Sequence, residues 1–305
     1  MIRRSSALTA CLLLFVATAV AAADVSIVVG ESSPAYLEAA QAVSRELASP
    51  ATTMVMTAEE FERSPRRAAA LVVALGTRAL HAVIANGSGT PVIATLIPRS
   101  TYELELASLS RPSGPKAITA VFLDQPIARQ LNLLRLVVPE RARVGLLTST
   151  ATDQMARRID SAARERGLSV VRASVTDSQG IPGALTRLLG ESEVLLALPD
   201  PAIFNASTIH NILFSALRAQ QPMIGFSDAY VRAGALAAVF SKPQQVGRQA
   251  GGIAARAISG APLPPPQYPR EFSVSVNPTV ARTLGLTIDE ERIIVAKLQR
   301  MEREP

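Results

Sequence analysis

Short apolar runs recur down the chain, each closed by a glycine or polar residues and often followed by apolar residues at helical spacing. Val25 to Gly30 is β-branched and apolar, which predicts a buried strand. Ser33 and Pro34 then suit the cap and first turn of a helix carrying Leu37, Ala40, Val43 and Leu47. Further strands are predicted at Thr53–Met56, Ala70–Leu75, Pro91–Ile97 and Ala117–Leu123. A weak helix follows the first of these, and a helix to Ala85 follows Gly76-Thr77. The fifth strand of the series runs into Asp124.

The pattern then restarts. Arg143–Leu147 reads as a strand ending at Thr148-Ser149-Thr150, and Met155, Ile159 and Ala162 place a helix that Gly167 closes. Ser169–Ala173 and Val194–Leu198 are strands, the second ending at Pro199-Asp200-Pro201. Ile209, Ile212, Leu213 and Ala216 mark a helix, and Met223–Phe226 is a strand ending at Ser227-Asp228. VSIVVG echoes RVGLLT, and LVVALGT echoes VLLALPD. Near-continuous apolar strands alternating with helices predict an α/β fold of two Rossmann-like lobes, each an open parallel sheet covered on both faces.

Gln221 to Gly260 has a further property. Its strand ends in a carboxylate, a second strand follows at Leu236–Phe240, and Pro243 opens a helix of small residues that stops near Gly260. A chain crossing between lobes behaves this way, and two facing lobes leave a cleft. Gly247 to Gly252 lies inside the helical pattern, so these glycines are expected to permit close packing and not to cradle phosphate. Ala261–Pro269 is too proline-rich for a helix or central strand and reads as an extended linker. Phe272–Val276 adds a strand, and Thr287 with Glu290 fits a capping box for a last helix carrying Ile294, Leu298 and Met301.

The N-terminus fits a cleavable secretory signal over 1–23. Arg3 and Arg4 precede an apolar run, and Ala19-Val20-Ala21 or Ala21-Ala22-Ala23 suits a peptidase. The run falls short of the ~20 apolar residues that span a bilayer. Residues flanking Arg3-Arg4 give little support to a twin-arginine signal. The apolar run lies after Cys11, which argues against lipidation at that cysteine. Cys11 is the single cysteine, so the mature chain is expected to lack disulfides and to depend on its core.

Hydrophobic residues make up 48% and charged residues 18% of the chain, a globular balance. The net charge is +6, but arginines are spread along the chain, without a basic run. With aromatics at 4%, this is a solvated surface and not a nucleic-acid site. His81 and His210 are isolated, and no cysteine or acidic cluster completes a metal set, so neither metal nor cofactor is expected. Walker, dinucleotide and nucleophile-elbow motifs are absent.

The remaining chemistry lies at strand ends. Ser32, Ser33, Gly76, Thr77, Thr148, Ser149, Asp200, Ser227 and Asp228 are the candidate ligand-binding residues. Helix starts suit a carboxylate or phosphate, while Asp200 and Asp228 suit an ammonium or sugar hydroxyls. Each is also an ordinary cap or turn residue taken singly; the topology is what would bring them to one crevice.

QPMIGFSDAYVRAGALAAVFSKPQQVGRQAGGIAARAISGAPLP resembles the closing part of ABC-transporter substrate-binding proteins of the tryptophan/tyrosine-binding type. ALGTRAL at 74–80, TPVI at 90–93, DQPIARQLNLLRLVVPERARVGLL at 124–147 and VNPTVARTLGLTI at 276–288 extend the likeness. The chain departs from that family in having Thr148-Ser149-Thr150-Ala151-Thr152 where an Asn-rich turn is usual, and in lacking tryptophan. The resemblance implies a periplasmic binding protein type I fold with three crossovers. It places lobe 1 at 24–122 plus 240–268 and lobe 2 at 123–239 plus 269–305, with Leu123, Phe240 and Ser241 at the hinge.

The function so implied is non-enzymatic: a periplasmic, monomeric solute-binding protein that closes on a small polar ligand, with an amino-acid-like one among the options. Its partners would be the permease and ATPase of an importer. The alternatives are a ligand-binding sensor or accessory protein for a signalling or outer-membrane partner and, on the strand-end carboxylates alone, a secreted enzyme.

Overall fold

The computed structural model describes residues 24–47, 51–63, 69–87, 89–109 and 115–303. The signal segment and Cys11 lie outside the described residues. In chain order the first lobe contains β1 (Asp24–Val29), α1 (Pro34–Glu46), β2 (Thr52–Thr57), α2 (Ala58–Arg63), β3 (Leu71–Leu75), α3 (Thr77–Asn86), β4 (Val92–Ile97), α4 (Arg99–Ala107) and β5 (Ile118–Phe122). The chain then enters α5 (Ile127–Val137), β6 (Arg143–Thr148), α6 (Asp153–Arg164), β7 (Ser169–Ser174), α7 (Ile181–Glu191), β8 (Val194–Leu196), α8 (Ile209–Arg218), β9 (Met223–Gly225), α9 (Asp228–Ala233) and β10 (Ala237–Phe240). It closes with α10 (Pro243–Ile258), β11 (Ser273–Val276), α11 (Pro278–Thr283) and α12 (Glu291–Met301).

The first sheet has the order β2-β1-β3-β4-β5 and every pairing in it is parallel. The second, read from β7, has the order β7-β6-β8-β9-β10-β11, parallel except for β11, which pairs antiparallel with β10. The two orders coincide strand for strand, with β11 added at one edge. The echo of VSIVVG in RVGLLT is therefore the echo of two first strands, each beside its sheet's switch point, where open α/β sheets leave a crevice. Strands β3 and β4 are buried throughout, as two covered faces require.

Small residues decide how the last lobe crossing returns. The α10 helix packs on α1, and a Cβ at Gly247 would come within 2.5 Å of the Ala39 carbonyl oxygen; one at Gly251 would lie 2.9 Å from the Val43 carbonyl. Ala39, Ala40 and Val43 meet Val246, Ala250 and Ile253 in one buried cluster. The Pro-rich segment that follows runs along the free edge of β5. Phe122 N–H donates to the Gln267 carbonyl (3.0 Å) and Gln267 N–H to that of Ala120 (2.9 Å).

Some local expectations fail. Ser33 is the α1 N-cap residue with Pro34 next, but its hydroxyl makes no cap bond. The Thr287–Glu290 capping box does not form, because α12 begins one residue after Glu290. Its start is held instead by Glu291 Oε1, which accepts the Val276 N–H at 2.9 Å. Neither α4 nor α7 has a clean sequence signal. Within α4 only Tyr102 is buried and its alternating ELEL suits a strand, while α7 contains Pro182 and Gly183 near its start. Contacts distant in sequence fix both: the Asp124 carboxylate holds the first N–H of α4, and Ile181, Ala184, Leu185 and Leu188 bury one face of α7.

We expect Gly247→Ala to destabilise the protein by about 1–3 kcal/mol, because overpacking here meets backbone and not a movable side chain. Urea unfolding should show the loss, whereas the same change at Gly260, where an added Cβ meets nothing within 4 Å, should cost less despite its positive φ.

Candidate functional site

Three segments cross between the sheets: Leu123–Gln125 after β5, Ser241–Lys242 after β10, and Pro269–Glu271 before β11. One buried polar network joins them. Gln125 Nε2 donates to Ser241 Oγ (2.9 Å), and Ser241 Oγ donates to the Glu271 carbonyl (2.6 Å). Arg129, 4% exposed, donates through Nη1 to Gln125 Oε1 (2.7 Å) and to the Pro269 carbonyl (3.0 Å). Its other nitrogens form a two-point pair with Glu302 at 2.5 and 2.9 Å. Its guanidinium also lies 4.1 Å from the Phe272 ring centroid. A fixed planar fork with five donors can meet this many acceptors; a lysine could not.

A cavity of about 210 Å³ opens beside this network. Leu123, Met155, Phe226, Val239 and Phe240 supply apolar lining, and Pro98 and Pro199 add to it from β4 and β8. Asp124, Gln125, Gln130, Ser227 and Ser241 are its polar lining. Both sheets contribute, so the cavity lies between the lobes. A smaller one of about 50 Å³ shares Asp124, Gln125, Met155 and Pro199 with it and adds Arg99, Glu103, Arg158 and Tyr268.

Asp124 is the carboxylate of the main cavity. Its Oδ2 accepts the Arg99 N–H at 2.5 Å, at the start of α4, where a negative charge suits the helix end. Burial nevertheless pushes the carboxyl up from its ordinary range, opposed by that hydrogen bond and the Arg99 charge. Arg99 donates to Glu103 Oε1 (2.7 Å) and to the Tyr268 hydroxyl (3.2 Å), and both partners hold its guanidinium further toward the charged form. Arg158 of α6 reaches Glu103 of α4 at 3.8 Å, an ion pair spanning the two lobes. On the flank, Phe122 packs edge-on against Tyr102 and Tyr268, and burial pushes the Tyr102 hydroxyl up to about 12.

The sequence-derived site residues divide into groups. Ser227 lines the cavity and makes no cap bond on α9. Leu123, Phe240 and Ser241 line it too, at the first two crossings. Thr148, Ser149 and Asp200 gather at the ends of β6 and β8. Asp200, 2% exposed, accepts from Ser149 Oγ (2.6 Å), Thr152 Oγ1 (2.8 Å) and Ala202 N–H (3.1 Å). Asp228 accepts from Ser275 Oγ (2.6 Å) and pairs with Arg232. Both acids thus have partners within lobe 2. Ser32, Ser33, Gly76 and Thr77 line neither cavity. Gly76, at φ +91°, sits under the Tyr36 ring, with no room for a Cβ.

Sequence reasoning passed over Asp124, Phe226 and Met155 as contacts. Asp124 had a signal, since it ends its strand as Asp200 and Asp228 end theirs. Phe226 was readable as the last apolar residue before Ser227, but not as a wall of a cavity. It leans on Tyr230 at 4.3 Å between centroids, and the Tyr230 hydroxyl donates to the Phe204 carbonyl (2.9 Å). Among the described residues no cluster of His, Cys, Asp and Glu could hold a metal ion, and no helix is long and apolar enough to cross a membrane.

Comparison with known proteins adds to this geometry. The family described as ABC transporter substrate binding protein matches residues 51–299. Among solved structures, an ABC domain in complex with L-Trp from Streptococcus pneumonia is 20% identical with a TM-score of 0.63, covering 89% of this chain and 97% of that one. A ligand-free, open substrate-binding protein with adhesive properties from Clostridium difficile is 17% identical with a TM-score of 0.68, covering 88% and 96%. A periplasmic ribose ABC transporter structure from Conexibacter woesei is 13% identical with a TM-score of 0.55, covering 87% and 95%. At these identities the structures establish the shared two-lobed fold. No curated protein sequence matches the chain.

Replacing Arg129 with Met should lower stability by about 3 kcal/mol, near the bottom of the range for breaking a buried pair, because Glu302 keeps some solvent contact. Chemical unfolding measures this. Asp124→Asn should instead raise the melting temperature at neutral pH. A carboxyl whose native pKa is raised stabilises the fold fully only below its unfolded value, and that contribution fades as pH rises through the native value. The gain from the amide should therefore shrink as melting is followed downward in pH through the carboxylate range.

Proposed function

Because the chain belongs to the ABC transporter substrate-binding protein family, we propose that it is the periplasmic solute-binding component of an ABC-type importer. In this reading the protein closes two lobes on one small ligand and presents the closed form to a permease and its ATPase. The rigid lobes are 24–122 plus 240–268 and 123–239 plus 269–305, and the protein acts as a monomer.

The observation that carries the reading is the cavity between the sheets, walled by both lobes and floored by residues of the crossings. Hinge closure around a ligand needs crossings that bend together and a contact made only when the lobes approach. The Gln125–Ser241–Arg129 network supports the first, and the Glu103–Arg158 pair supports the second. The lining is largely apolar, so the ligand should carry an apolar body as well as polar groups. A signal over 1–23 accounts for delivery to the periplasm.

The test is a thermal-shift screen of purified protein against amino acids, amines, nucleosides, sugars and small acids, with X-ray scattering on any hit. A true ligand at about a hundred times its Kd should add about 2.7 kcal/mol of stability and reduce the radius of gyration. If no compound class shifts the melting temperature, the solute-binding reading fails.

A further inference from the structure

Hydrogen-bond accounting inside the main cavity narrows the ligand. The lining has no cationic side chain to hold a bound carboxylate; its neutral donors are the Gln125 and Gln130 amides, each with one N–H engaged, and the Ser227 and Ser241 hydroxyls. Gln125 Nε2 is given to Ser241, the Ser241 hydroxyl to the Glu271 carbonyl, and Gln130 Nε2 to the Gln125 carbonyl at 3.0 Å. Helix starts near the cleft hold protein carboxylates already. Asp124 sits on the first N–H of α4, and Asp200 holds Ser149 and Thr152 at the entry to α6. Arginines do not line this cavity. Arg99 and Arg158 line the smaller neighbour, where Arg99 is engaged by Glu103 and Tyr268, and Arg158 faces Glu103.

The one charge that the lining offers is an acceptor. Asp124 is the one ionisable residue of the lining; its carboxyl accepts the Arg99 N–H and its own backbone N–H, and the four lone-pair sites of a carboxylate leave room for a further donor. Phe226 and Phe240 place two aromatic rings in the same lining, and aromatic faces attract cations. A volume of about 210 Å³ exceeds the roughly 150 Å³ of an apolar cavity known to take benzene. It therefore has room for one ring and a short chain.

Resting on the solute-binding reading above, we infer that the cleft selects a small organic amine with an apolar, ring-sized body and no carboxylate. Its ammonium donates to Asp124, and its body lies among Phe226, Phe240 and Met155. An amino acid would bring a carboxylate into a cavity that offers it no cationic side chain and whose one resident charge repels it.

Isothermal titration at pH 7 with phenethylamine, L-phenylalanine and phenylacetate tests this. Phenethylamine should bind at least tenfold more tightly than either carboxylate-bearing probe. Asp124→Asn should weaken the amine at least tenfold while the protein still melts cooperatively. Asp124→Ser, which removes the charge and keeps a small polar side chain, serves as the second variant should the amide fail to fold. If phenylalanine or phenylacetate binds more tightly than the amine, the inference is overturned and solute binding stands. Unchanged amine affinity in either folded variant also overturns it. Silence from all three probes overturns the amine assignment, and the wider thermal-shift screen then decides separately whether the protein binds solutes at all.

Discussion

Arg129 is the point on which the two-lobed arrangement depends. A buried guanidinium must find partners for its donors or forfeit several kcal/mol. The partners found here come from distant parts of the chain: Gln125 at the first crossing, the Pro269 carbonyl at the third, and Glu302 at the end of α12. Through Gln125 the second crossing, at Ser241, joins the same network. One hydrogen-bond network therefore ties the three crossings to one another.

The second constraint is the equivalence of the two sheets. Each lobe repeats one strand order, so each presents its switch point and strand ends in the same way. The chain leaves the first lobe after β5, leaves the second after β10, and returns along the edge of β5 before entering β11. The small-residue seam between α1 and α10 makes that return possible, since glycines at 247 and 251 let two backbones approach where any Cβ would collide. The cavity is a consequence of this path. Its walls come from residues at or just after the strand ends of both sheets, with Gln130 of α5 and Met155 of α6.

Most of the fold was legible in the sequence. Buried parallel strands such as LVVAL and VIATLI are continuous apolar runs because both faces are covered, and that pattern is local. The halves' correspondence was visible in the same runs, and so was the role of the glycines in α10. What local pattern could not reveal were elements whose starts are held by hydrogen bonds from distant parts of the chain. The α4 helix buries only Tyr102, and α12 starts where Glu291 meets Val276, not where a Thr–Glu spacing suggested. Two phenylalanines facing one cavity were also invisible, because a 4% aromatic content says nothing about where the rings meet.

By itself, then, the sequence determined the two-lobed α/β architecture, the crossing near Phe240 and the presence of carboxylates at strand ends. It could not determine which carboxylate is available. Asp124, Asp200 and Asp228 each follow a strand and look equivalent along the chain. Tertiary structure separates them: Ser149 and Thr152 occupy Asp200, Ser275 and Arg232 occupy Asp228, and of the three only Asp124 lines the cavity. Strand identity follows from the periodicity of neighbours. The availability of a charge follows from the three-dimensional inventory of donors around it, which the order of residues does not contain.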